Sequence, residues 1–193
     1  MRYTLIYEEV RVKTRWVVLL MAALAVSLPA CRSANPNEVG EFKPYINTEY
    51  GFRVEYPSNW QVVIDPASLV GDKPDKVHAM VFLNTEASSV LFTVLVQRVD
   101  GATTLADFGK EQIAGARSNA GTTVLSDLAP AKLGGVDALI TQATVDQSGQ
   151  TVAHRLFMAV KGQRGYLVSL SAPENSPLKS TLDDMLASFR FLP

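Results

Sequence analysis

From Tyr45 to the end of the chain, apolar and polar residues alternate at period two in one short run after another, which restricts the fold to half-buried, mostly antiparallel strands. Phe52, Val54 and Tyr56 fall on one face of the first such run, while Arg53 and Glu55 face water. Pro57-Ser58-Asn59 turns the chain, and Trp60 opens a second run from Gln61 to Ile64. Beyond a solvated loop, Gly71 to Lys76, another strand is expected from Val77 to Leu83. Val90 to Val99 is different: Val90, Phe92, Val94 and Val96 share one face, and Leu91 and Leu95 occupy the other. Two apolar faces predict a central strand covered on both sides.

Helical spacing appears twice. Thr104 to Asn119 reads as a helix with Thr104 as N-cap, Asp107 three residues later, and Leu105, Phe108, Ile113 and Ala116 as its apolar stripe; Gly121 stops it. Strands are then expected at Thr122 to Leu125, Val136 to Val145, Thr151 to Lys161 and Tyr166 to Ala172. Gly134-Gly135, Gln147-Ser148-Gly149 and Gly162 to Gly165 supply the turns between them. Ser176 as N-cap and Pro177 at the first helical position begin a last helix, with Leu178, Leu182, Met185, Leu186 and Phe189 on one face. Phe191 closes the chain as a short edge contact. The expected class is α+β, an antiparallel β-sheet of six or seven strands flanked by helices as an αβα sandwich.

Ahead of this region the chain carries a leader. Arg11, Lys13 and Arg15 form a basic segment, and Val17 to Leu28 contains no charge. That stretch is shorter than the roughly 20 apolar residues a membrane-spanning helix needs, so it reads as the core of a signal peptide. Leu28-Pro29-Ala30-Cys31 follows directly and resembles the lipobox of bacterial lipoproteins, which implies diacylglyceryl transfer to the Cys31 sulfur and cleavage in front of it. Glu8 and Glu9 are unusual in such a leader and point to a translation start further along, at Val10.

The expected organisation is a signal peptide over 1–30, a lipidated cysteine with a flexible tether over 31–44, and one globular domain over 45–193. Loss of residues 1–30 removes Arg2, Arg11, Lys13, Arg15, Glu8 and Glu9 and moves the formal net charge from −1 to −3. That balance excludes a basic field for nucleic acid and a polybasic patch for anionic lipid, so membrane attachment rests on the acyl chains. Cys31 is the only cysteine, hence no intrachain disulfide forms and stability has to come from the core.

The segment Asn47-Thr48-Glu49-Tyr50-Gly51-Phe52-Arg53-Val54-Glu55-Tyr56-Pro57-Ser58-Asn59-Trp60 resembles the opening of PsbP-like domains, in which a Gly-Phe strand runs into a Tyr-Pro-x-x-Trp turn. The late strand pair, the closing helix and Ser188-Phe189-Arg190-Phe191 are similar to the way such domains end, so the resemblance covers roughly residues 45 to 193. It implies an antiparallel sheet flanked by helices. Members include extrinsic subunits or assembly factors of photosystem II, proteins that bind the Ran GTPase, and bacterial lipoproteins; the shared theme is protein binding without catalysis. Phe52, Tyr56, Pro57 and Trp60, which carry the match, are structural residues.

Candidate chemistry is sparse. His154 shares a strand face with Val152, Leu156, Met158 and Val160, and His78 alternates with Met80 and Phe82; neither has partners at metal-ligand spacing. Asp72 and Asp75 bracket Lys73-Pro74 as a solvated turn, two carboxylates being too few for a calcium site. Asp183 and Asp184 read as a solvated helix face. No nucleophile elbow, P-loop, dinucleotide fingerprint or zinc-protease motif occurs. No catalytic, metal or cofactor-binding residue is assigned, and Cys31 is the one modification site. The expected function is that of a monomeric, lipid-anchored, extracytoplasmic, non-catalytic domain that binds or helps assemble an envelope or membrane protein complex. Alternatives are a carrier or sensor of a small hydrophobic ligand, with its pocket between sheet and helix, a photosystem II accessory lipoprotein, and a hydrolase.

Overall fold

The computed structural model describes residues 35, 37–65, 77–84, 87, 89–118, 121–147 and 149–193. Strands β1 (Phe42–Asn47), β2 (Phe52–Pro57), β3 (Gln61–Ile64), β4 (Val77–Leu83) and β5 (Leu91–Arg98) precede helix α1 (Leu105–Arg117). After it come β6 (Thr122–Val124), β7 (Ala129–Leu133), β8 (Val136–Gln147), β9 (Gln150–Lys161), β10 (Arg164–Pro173), helix α2 (Lys179–Ser188) and β11 (Arg190–Phe191). Eight strands form one antiparallel sheet in the order β3-β4-β5-β10-β9-β8-β6, with β7 also paired to β8. The short β6 and β7 share one edge of the long β8, end to end. A second sheet, β1-β2-β11, has three strands.

The α+β class and the antiparallel pairing hold, but the expectation of one sheet with six or seven strands is corrected to an eight-stranded sheet plus a three-stranded one. The two strands missing from the sequence reading, β1 and β7, contain Pro44 and Pro130. Proline cannot donate to a ladder and is tolerated at sheet edges, which is where both strands lie. β1 also begins at Phe42, three residues ahead of the boundary expected at Tyr45. Its entry is pinned: Gly40 N donates to Asn59 Oδ1 at 2.9 Å, Asn59 Nδ2 to Glu38 O at 2.9 Å, and Ser58 N to Glu41 O at 2.8 Å.

The two helices cover opposite faces of the large sheet. α1 packs Phe108 against Ala79, Leu95, Met158 and Leu167. Its Thr104 cap is as expected, with Thr104 Oγ1 accepting from Asp107 N at 3.1 Å. The helix comes close to the sheet because Gly165 lacks a side chain: a Cβ there would lie 2.5 Å from the Phe108 ring. On the other face, α2 and the small sheet bury Phe52, Val54, Leu182, Met185 and Phe189 against Phe82, Phe92, Val94 and Tyr166. β5 lies between β4 and β10 with Phe92 and Val94 on one side and Leu95 on the other, as its two-faced pattern required. Ser176 is not the N-cap of the last helix, a correction. Leu178 holds that position without a side-chain bond, and Ser176 Oγ accepts from Leu178 N at 3.3 Å in the turn before it.

Trp60 is 4% exposed within the larger core, at the turn where its backbone N–H donates to Pro57 O at 2.9 Å. Trp60→Ala is expected to cost about 3–5 kcal/mol in urea denaturation, and a loss below about 1 kcal/mol would show that the ring anchors nothing. Gly165→Ala is expected to destabilise by about 1–3 kcal/mol, since Phe108 must leave its rotamer or α1 must lift. Thermal unfolding of the double variant Gly165→Ala/Phe108→Leu, with part of the lost stability restored, checks the cause.

Candidate functional site

Two places among the described residues are the candidates, one inside and one outside. The inner one lies between α1 and the sheet, where Gln112, Ile113 and Ala116 face Ala143, Val145, His154, Leu156, Met158 and Ser169. Strand register builds it: His154 on β9 stands opposite Ala143 on β8 and Ser171 on β10. Ser171 Oγ is 2.6 Å from His154 Nδ1 and His154 is 2% exposed. Ser169 Oγ lies 3.2 Å from Ser171 Oγ, completing a short buried chain. Burial lowers the His154 pKa to about 4, so the ring is neutral near pH 7. Its Nε2 and both amide atoms of Gln112 have no hydrogen-bond partner among the described residues. The cavity they share measures about 30 Å³, the scale of one or two water molecules.

A serine hydroxyl on a histidine nitrogen is the pairing that nucleophilic catalysis uses, yet this one is poorly placed for it. Ser171 is 2% exposed, and among the described residues no carboxylate orients the far ring nitrogen. A base whose pKa is pushed to about 4 is also a weak proton acceptor at neutral pH.

The outer place is an open hollow of about 570 Å³ at the end of the large sheet, beside the turn between β1 and β2. Tyr50 forms one wall, stacked on His78 with ring centroids 4.6 Å apart, and the Arg164 guanidinium lies 5.9 Å from the Tyr50 centroid. Tyr166 Oη donates to Tyr50 O at 2.8 Å and fixes this turn on the sheet. Burial and the neighbouring Glu49 push the Tyr50 pKa up to about 12, so the phenol keeps its proton. Asp65 holds His78, accepting from Ala79 N at 2.7 Å and lying 3.3 Å from His78 Nδ1. Arg98, Lys161 and Arg164 line the floor.

Cys31, Asp72 and Asp75 lie outside the described residues. The structure places His154 and His78 on opposite faces of the large sheet, so they do not form one site. Asp183 pairs with Arg155 across α2 and β9, and Asp184 is exposed. Among the described residues no group of three His, Cys, Asp or Glu could hold a metal ion. Sequence reasoning missed Gln112 and the basic floor. Gln112 sits four residues after Phe108 and four before Ala116, hence on the buried stripe by spacing alone. Lys161 and Arg164 flank a two-residue turn, which places them opposite each other.

The sequence matches the PsbP family over residues 40–191. No curated protein matches it. Among solved structures, the cyanobacterial PsbP (CyanoP) of Synechocystis sp. PCC 6803 superposes with a TM-score of 0.59 at 18% identity, over 85% of this chain and 98% of that one. A Bacteroides thetaiotaomicron structure gives a TM-score of 0.49 at 17% identity over 81% of this chain, which spans 50% of the length of that one. LpqN of Mycobacterium tuberculosis, described as involved in cell envelope biogenesis, gives 0.46 at 13% identity over 79% and 91% of the two chains. CyanoP shares the fold, and the family match takes in every strand and both helices described above: the chain belongs to the PsbP family.

Proposed function

We propose that this PsbP domain is a lipid-anchored, extracytoplasmic, non-catalytic module that binds or helps assemble an envelope or membrane protein complex. The observation that carries the non-catalytic part is the sealed His154–Ser171 pair: the hydroxyl is held on a histidine, but both are buried and the histidine is a poor base. Anchoring rests on Cys31, which stands seven residues ahead of Glu38, where the chain is already pinned to the domain, enough to reach about 25 Å at full extension. Among the described residues no helix is long and apolar enough to cross a membrane. The acyl chains would then supply the attachment.

A second reading, a carrier of a small hydrophobic ligand, is favoured by one observation. The cavity between α1 and the sheet is walled by apolar side chains and contains three polar atoms without partners. At about 30 Å³ it falls well short of the roughly 300 Å³ of a small ligand pocket, so α1 would have to swing out. Native mass spectrometry of the purified chain tests this; no added mass beyond the acyl group eliminates it.

Labelled palmitate fed to expressing cells is expected to enter the wild type and not Cys31→Ser, and the variant should leave the membrane fraction. Crosslinking in intact cells is expected to trap one reproducible protein partner. Absence of any reproducible partner overturns the reading.

The buried histidine gives a pH prediction. The unfolded chain binds a proton near pH 6.5 and the folded one only near pH 4, so stability is complete above pH 6.5 and falls as the pH drops through this window. The interval corresponds to about 3 kcal/mol between pH 7 and pH 4. Urea denaturation of wild type and His154→Leu at both pH values checks it: the variant is expected to lose that much less on acidification.

A further inference from the structure

Three cations stand in one row across three neighbouring strands. Arg164 on β10 is in register with Arg98 on β5 and with Lys161 on β9, and all three are exposed on the face that bears the small sheet. Like charges directly opposite each other on one face weaken strand pairing. No carboxylate among the described residues forms an ion pair with any of the three. The two acids near the rim are already engaged, Asp65 by His78 and Ala79 N and Glu49 by Tyr50. Lys161 Nζ donates to Leu192 O at 2.5 Å and lies 5.4 Å from the Phe191 centroid, which fixes its position without neutralising it. A repulsive row, aimed into a hollow of about 570 Å³, lacks only an anion.

We propose that this hollow receives an acidic peptide segment of a partner protein, its carboxylates ranged along Arg98, Arg164 and Lys161 and its backbone laid against the Tyr50 ring. The inference rests on the partner-binding reading above and names the chemistry of that contact. Neighbouring strands are about 4.8 Å apart, so the row is about 10 Å long. One carboxylate or phosphate engages one or two of its members, whereas successive acidic side chains of an extended peptide engage all three. Guanidinium groups suit this task through paired N–H donors. Position favours a protein over a lipid headgroup. The chain enters the domain at Phe42, and the hollow sits beyond Asn47 at the opposite end of β1, about 20 Å away. On the lipid-anchor reading the tether joins the domain at the opposite end from the hollow.

Fluorescence anisotropy of a labelled octaglutamate peptide, titrated with the full chain in detergent, tests the assignment. Saturable binding that weakens with salt is expected, with a loss of about tenfold or more in Arg98→Glu and in Arg164→Glu. Arg98→Glu replaces a like-charge pair by an opposite one, so its melting temperature should equal or exceed that of the wild type, whereas Arg164→Glu also gives up the contact with the Tyr50 ring; Arg98→Gln, which only neutralises, should show a smaller loss of binding. Unchanged affinity in the reversed variants, or displacement of the peptide by inorganic phosphate at equal charge concentration, overturns the proposal. So does binding of a Cys31→Ser chain to phosphatidylglycerol vesicles that depends on the same arginines and exceeds peptide binding. The two readings fail separately. A partner crosslinked in cells equally to wild type and Arg98→Glu removes the hollow from the contact and leaves partner binding intact, whereas no partner from either removes partner binding itself.

Discussion

A continuous run of aromatic contacts fastens the small sheet to the large one, and the arrangement of both chain ends depends on it. Tyr166 meets Phe191 edge-on at 4.8 Å, Phe191 meets Phe189 at 5.2 Å, and Phe189 stacks on Phe52 at 5.4 Å. From Phe52 the run continues through Tyr45 to Phe82 and Phe92 in the large sheet. Each such pair contributes about 0.5–1.5 kcal/mol beyond the area it buries. A hairpin with a two-residue third strand would be marginal by itself, so this packing is what makes β1-β2-β11 a sheet at all. The contacts join residues near the start of the domain to residues at its end. Ser188 Oγ adds to this closure by accepting from Glu55 N at 2.8 Å. The N-terminal entry and the C-terminal strand therefore stand or fall together.

The opposite face is closed by a different device. α1 has only one apolar stripe to offer, and it reaches the sheet by close approach, Phe108 over Gly165 and Gly109 beside Leu128 and Leu139. Polar side chains caught under it are mostly paired with one another: Ser169 and Ser171 with His154, and Thr141, whose Oγ1 donates to Ser126 O at 2.7 Å. Gln112 and the far nitrogen of His154 are the exceptions, each such group costing about 1–3 kcal/mol when left unpaired. That cost is the difference between an apolar wall and the wall present. Sealing by close approach leaves little room inside, about 30 Å³.

Much of this was legible in the residues because each face of the large sheet is buried by one partner layer. Alternation in Phe52 to Tyr56, the two-faced pattern of Val90 to Val99, and the Thr104 cap each reflect a local rule, and each appears as expected. The strands that escaped, β1 and β7, are edges: one ladder holds them, so they need neither strict alternation nor freedom from proline. The sites escaped for another reason. Ser171 meets His154, and Arg98 meets Arg164, only through the register of separate strands, which no spacing along the chain encodes. Two signs were usable: Gln112, a polar residue at an apolar position of a helix, and Lys161 with Arg164, which flank a two-residue turn.

Placement of the cationic row shows where this fold tolerates repulsion. Across the interior of β5, β10 and β9 the register sets Val168 between Val94 and Phe157, and apolar contacts there favour pairing. At the strand ends the same register sets three positive charges side by side, where water screens the repulsion and little stability is at stake. A cost too large for the core is tolerable at the rim, where a charge of opposite sign would reverse it. The turn carrying Tyr50 borders that rim because Tyr166 and the aromatic run hold the small sheet there. The packing that closes the domain thus also shapes the one hollow among those described that combines unpaired cations with an aromatic wall.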